Sequence, residues 1–77
     1  MKINTVNVIK IIESVPQSII SFKDDKKGNT EAEEIFKKMA MENGADLGDI
    51  DSYLEDGIYT NGDPGSGMYA VALTHSS

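Results

Sequence analysis

One stretch of this chain, residues 30–43, carries a complete amphipathic-helix signature, and the segments on both sides of it are rich in β-branched and aromatic residues. Ala32, Ile35, Phe36, Met39 and Ala40 fall at i, i+3, i+4, i+7 and i+8, which puts them on one stripe of a helix. Thr30 and Glu33 have the spacing of a capping box, in which each side chain satisfies a backbone N–H of the first turn. Glu33–Lys37 and Glu34–Lys38 are i,i+4 pairs in the favoured acid-first order, and Asn43-Gly44 supplies a left-handed stop. A single strong helix among strand-like segments has to pack on a sheet.

The flanks read as follows. Residues 6–13 hold five β-branched side chains in eight positions, which favours a strand. A helix competes, because Val8, Ile11, Ile12 and Val15 also have helical spacing and Pro16 follows. Ser14-Val15-Pro16-Gln17 reads as a turn and residues 18–23 as a second strand, making a hairpin. Residues 24–29 form a charged polar loop. After the main helix, Asp46 caps a shorter one whose face is Leu47, Ile50, Tyr53 and Leu54, closed by Asp56-Gly57. Residues 57–60 and 68–75 read as strands around the glycine-rich loop 61–67.

The sum is one α+β domain, 1–77, in the order β-β-α-(α)-β-β: a small antiparallel sheet with one main helix on one face. Ile35, Phe36 and Met39 are expected to press on the first and last strands. Both of those strands are apolar on both sides. The first carries Val6, Val8 and Ile12 against Ile9 and Ile11; the last carries Tyr69, Val71 and Leu73 against Met68, Ala70 and Ala72. One helix covers one face, so apolar area is expected to be exposed on the other, and exposed apolar patches mark contacts.

With 77 residues the chain buries only roughly 60–65% of its unfolded surface. It has no cysteine and one histidine, so neither disulfides nor thiolate or His-rich metal sites reinforce it, and oligomerisation is the remaining staple. The cysteine-free composition fits a reducing compartment. No segment approaches the ~20 apolar residues of a membrane span. The N-terminus has no signal-peptide pattern, so the expected location is the cytoplasm.

The net charge of −6 is unevenly placed. Residues 1–41 hold seven lysines and six acids; residues 42–77 hold seven acids and no base. Those acids are Glu42, Asp46, Asp49, Asp51, Glu55, Asp56 and Asp63. Arginine, the usual reader of phosphate and guanine, does not occur in the chain, which argues against direct nucleic-acid binding.

No segment of the chain carries a complete catalytic or metal-binding motif. Asp49-Ile50-Asp51-Ser52-Tyr53 puts tyrosine where a calcium loop needs its third ligand, and Asn61-Gly62-Asp63-Pro64-Gly65 runs out of carboxylates. The glycine-rich loop has no lysine and precedes a strand, so it is no phosphate cradle. His75 beside Ser76 and Ser77 lacks the shaped element and orienting acid of a triad. No catalytic residue, cofactor or metal is expected.

The expected function is therefore a non-catalytic protein-interaction module, paired with itself or with a larger protein. Asp46, Asp49, Asp51, Glu55, Asp56, Asp63, Tyr59 and Tyr69 are its candidate contact residues. One alternative is an acidic DNA mimic that occupies the basic groove of a nucleic-acid-binding enzyme. Another is a small-molecule binder or enzyme with its site at a dimer interface and Tyr59, Tyr69 or His75 at the mouth. The chain's general style, short, acidic and cysteine-free, is similar to that of many small phage and mobile-element proteins; the likeness covers no specific residues.

Overall fold

The computed structural model describes residues 4–76. Six elements follow in order: β1 (Thr5–Ile12), β2 (Val15–Lys23), α1 (Lys26–Glu42), α2 (Ile50–Asp56), β3 (Ile58–Asn61) and β4 (Tyr69–Ser76). The four strands make one antiparallel sheet in the order β2-β1-β4-β3, with α1 packed across β1, β2 and β4. The first and last strands thus form the centre of the sheet. The α+β order read from the sequence is the order observed, and the segment read at residues 6–13 is strand, not helix, up to Ile12.

Period-2 alternation explains the core. Val6 and Val8 on β1 and Val71 on β4 turn toward the helix and are fully buried. Against them α1 lays Ala32, Phe36 and Ala40, also fully buried, while Ile35 and Met39 pack at its flanks. Phe36 is the largest of these side chains, and burial of one such ring contributes about 1.5–3 kcal/mol.

Three local readings need correction. The turn expected at residues 14–17 is only Glu13-Ser14, both at positive φ (50° and 66°), as a two-residue type I′ hairpin requires. Its tightness leaves Val15 and Pro16 inside β2, where Pro16 is tolerated on a sheet edge. The polar loop expected at 24–29 is mostly helix. Asp25 is the N-cap of α1 and its carboxylate accepts the Gly28 N–H at 2.7 Å, whereas Thr30 lies within the helix and donates its hydroxyl to the Lys26 carbonyl at 2.8 Å. Gly28 permits this early start, since its Cα passes so close to the Lys23 carbonyl that a Cβ would lie 1.8 Å from the oxygen.

The third correction concerns the acidic segment. α2 begins at Ile50 after Asp49, while Asp46 accepts the Gly48 N–H at 3.3 Å within the preceding turn. Leu47, expected on the buried face of that helix, is 69% exposed, because the helix starts beyond it. Gly44 and Gly57 end the two helices at φ 102° and 77°, in the left-handed region, where glycine carries no Cβ penalty.

Candidate functional site

The face of the sheet opposite α1 is built from the remaining half of each strand. Strand register assembles its side chains into rows. Ile19, Ile9, Ala72 and Ile58 cross all four strands in line, and beside them run Pro16, Ile11, Ala70 and Thr60. Farther along lie Ser21, Asn7 and Thr74, then Lys23, Thr5 and Ser76. The first two rows are apolar apart from Thr60. Ile19 and Ile58 are 61% and 44% exposed. Ala70 and Ala72, small and shielded by neighbouring isoleucines, stand outside the buried cluster beneath the helix.

The polar rows hold themselves together. Ser21 donates to the Asn7 side-chain oxygen at 2.7 Å, Asn7 donates through Nδ2 to the Ser76 hydroxyl at 2.9 Å, and the hydroxyls of Thr5 and Ser76 lie 2.8 Å apart. Lys23 is the lone charged residue of these rows, and it sits at their end. A solvated antiparallel face normally alternates to polar and charged side chains. This one is uncharged through its middle and apolar over half its length.

The acids expected to make contacts lie elsewhere. Asp46, Asp49, Asp51, Glu55 and Asp56 are all exposed, on α2 and the loop before it, and Asp63 is exposed in the β3–β4 loop. Tyr59 and Tyr69 are buried, at 5% and 8% exposure, on the helix side of β3 and β4. Their place is in the core. The Tyr59 hydroxyl donates to the Asn43 carbonyl at 3.0 Å, and the Asn61 amide donates to the same oxygen, so β3 closes the C-terminal end of α1. Nothing in the local sequence signals this long-range cap. The Tyr53 and Tyr59 rings meet edge to face at 4.9 Å. Burial, joined by Tyr53 for Tyr59 and by Glu42 and Tyr59 for Tyr69, raises both phenols above their ordinary range.

His75 is exposed at the end of β4, with Nδ1 3.2 Å from the Asp24 carboxylate. Asp24 is held below its ordinary value first by the Asn29 amide and then by His75. Ser76, beside His75 in sequence, is committed to Thr5 and Asn7. The donors of the glycine-rich loop are partly used from within, since the Glu13 carboxylate accepts the Gly67 N–H. An open groove of about 350 Å³ runs between α1 and β2, lined by Phe22, Glu31, Glu34, Ile35 and Lys38. Tyr59, Tyr69 and His75, expected at the mouth of a ligand site, are not among its lining residues.

Among the described residues, no cluster of three or more His, Asp or Glu side chains could hold a metal ion, and no helix is long and apolar enough to cross a membrane. Comparison with protein-family models, curated proteins and solved structures finds no match.

Proposed function

We propose that this chain is a non-catalytic interaction module that works as a homo-oligomer, with the open sheet face as the contact surface and a second copy as its occupant. The observation that carries this reading is the uncharged, apolar middle of that face: Ile19, Ile9, Ala72 and Ile58 in one row, Pro16, Ile11 and Ala70 in the next.

The size is of the right order. Three strands about 27–31 Å long and the half-length β3, about 4.8 Å apart, present about 470 Å² per copy, and two stacked copies bury a little under the roughly 1,000 Å² where specific interfaces begin. Sheets stack about 10 Å apart with their inner side chains interdigitated. The charge distribution also suits a second copy. The net charge is −6, but the acids lie on α2, α1 and the loops, so stacking open face to open face keeps them apart.

Sedimentation equilibrium over a concentration series tests the reading. The double variant Ile9→Lys with Ile58→Lys places charge on β1 and β3 in the middle of the face. It is expected to abolish face-to-face association while leaving far-ultraviolet circular dichroism unchanged. A wild-type chain that stays monomeric at high concentration, or a folded double variant that associates as the wild type does, overturns the proposal.

A further inference from the structure

The sheet has two edges of different character. β3 is four residues long, and shortness is one way natural sheets protect an edge. β2 is nine residues long and exposed along nearly all of its length. Pro16 and Lys23 guard its ends, but Ser18, Ile19, Ile20, Ser21 and Phe22 between them carry neither proline nor charge. An uncharged, unguarded edge is a template for another strand.

The ladder shows which groups are free. The Asp24 N–H donates to the Asn4 carbonyl at 3.0 Å, which makes Asn4–Asp24 a hydrogen-bonded pair just beyond Thr5–Lys23. Antiparallel pairs alternate, so Val6–Phe22 and Val8–Ile20 are bonded inward while the main-chain groups of Ile19 and Ser21 and the N–H of Lys23 point outward; the Lys23 carbonyl already accepts the Asp25 N–H at 2.8 Å.

The flank of α1 above this edge is self-complementary. Glu31, Glu34, Ile35 and Lys38 fall at i, i+3, i+4 and i+7, and together with Phe22 they line the groove beside β2. Its acids precede its base along the helix. Set antiparallel to a copy of itself, this flank brings Glu31 to the partner's Lys38 and Lys38 to the partner's Glu31, with Glu34 and Ile35 of each copy between them, Glu34 exposed to solvent.

We propose that β2 pairs with the β2 of a second copy about a two-fold axis beside Ser21, giving a continuous eight-stranded sheet with both α1 helices on one side. In this register Ser21 pairs with the partner's Ser21 through outward groups, and Ile20 meets the partner's Phe22 on the helix side. Since α1 packs on β1, β2 and β4 alike, its axis stands about 7 Å from the two-fold, so the helices run about 14 Å apart. Helices with their side chains are about 10–12 Å across, so long side chains such as Glu31 and Lys38 bridge this gap above the apolar floor of Ile20, Phe22 and Ile35. A foreign strand would pair with the same edge, but it has no reason to carry the mirrored charge order; a second copy always does. This edge lies apart from the open face, and the inference stands independently of it. If both contacts form with two-folds that intersect at right angles, they combine into a tetramer of the common D2 kind.

The test uses the Ile9→Lys, Ile58→Lys background, which leaves only edge association. Adding Glu31→Lys or Lys38→Glu is expected to weaken dimerisation about tenfold, because like charges then face each other across the axis. An equimolar mixture of the two is expected to recover dimers, since opposite charges meet again. In the background variant, amide exchange at Ile19, Ser21 and Lys23 is expected to slow as protein concentration rises. A mixture no heavier than either component overturns the proposal. So does outward-amide exchange that is independent of concentration, or that slows only when a blocked peptide of alternating valine and threonine is added. Failure of the open-face reading looks different: there the Ile9→Lys, Ile58→Lys change leaves the wild-type mass unaltered.

Discussion

The Glu13 carboxylate accepts the Gly67 N–H at 2.8 Å, and the Glu13 N–H donates to the Met68 carbonyl, also at 2.8 Å. The β1–β2 hairpin turn is thereby tied to the loop that leads into β4, across 54 positions of sequence. The Gly67 N–H, followed by that of Gly65, holds the Glu13 carboxyl below its ordinary value of 4.5; Asp24 is lowered likewise from 3.8 by Asn29 and His75. A carboxylate lowered in the folded state stabilises fully above its unfolded pKa. That contribution is lost as pH falls through the lower, folded value. Thermal melts are therefore expected to be flat in this respect above about pH 5 and to fall below the ordinary carboxylate range. Glu13→Gln is expected to flatten part of that acid decline, and an unchanged slope would show that the contact carries no linkage.

Ser14 sits next to Glu13 at φ 66°. A non-glycine residue in the left-handed region costs about 1–2 kcal/mol, part of which glycine gives back through its freer unfolded state. Ser14→Gly is expected to stabilise the fold by about 0.5–1 kcal/mol, a rise of about 2–8 °C in a domain of this size. Differential scanning calorimetry reads this directly, and a lower melting temperature would contradict it.

The same local physics explains what the sequence disclosed and what it hid. Both faces of β1 and β4 were legible because a period of two places Val6 and Val8 opposite Ile9 and Ile11 in any register. The apolar excess on the open face was legible for the same reason. The central pairing of β1 with β4 was not, since it depends on contacts between residues at opposite ends of the chain. Nor was the burial of Tyr59, whose hydroxyl partner is the end of a helix sixteen positions away.

The capping box read at Thr30 is displaced, because Asp25, five residues earlier, is the N-cap of α1. The Asp25 backbone is extended, at φ −132° and ψ −179°, and its carboxylate takes an otherwise orphaned N–H. Asp25→Ala is expected to cost about 1 kcal/mol. Thr30→Ala removes only a hydroxyl bonded back to Lys26 and is expected to stay within about 0.5 kcal/mol. Urea titrations of the two variants decide it, and the reverse order would restore the capping box that the sequence suggests.

Gly28 makes the early start possible, and its replacement is the sharpest test of how β2 feeds into α1. A Cβ there would lie 1.8 Å from the Lys23 carbonyl oxygen and 2.9 Å from its carbon, both backbone atoms that cannot swing aside as a flexible side chain does. Either the first turn of α1 unwinds, with loss of the Asp25 cap, or the end of β2 moves and the Thr5–Lys23 pairing breaks. Gly28→Ala is expected to destabilise by about 3 kcal/mol or more, a large part of what so small a domain has. Gly48 is the control, because an added Cβ there meets nothing within 4 Å. Gly48→Ala is expected to change stability by about 0.5 kcal/mol or less. Equal, small effects at both glycines in chemical denaturation would mean that the helix begins later than Lys26, leaving the close approach to Lys23 without a role.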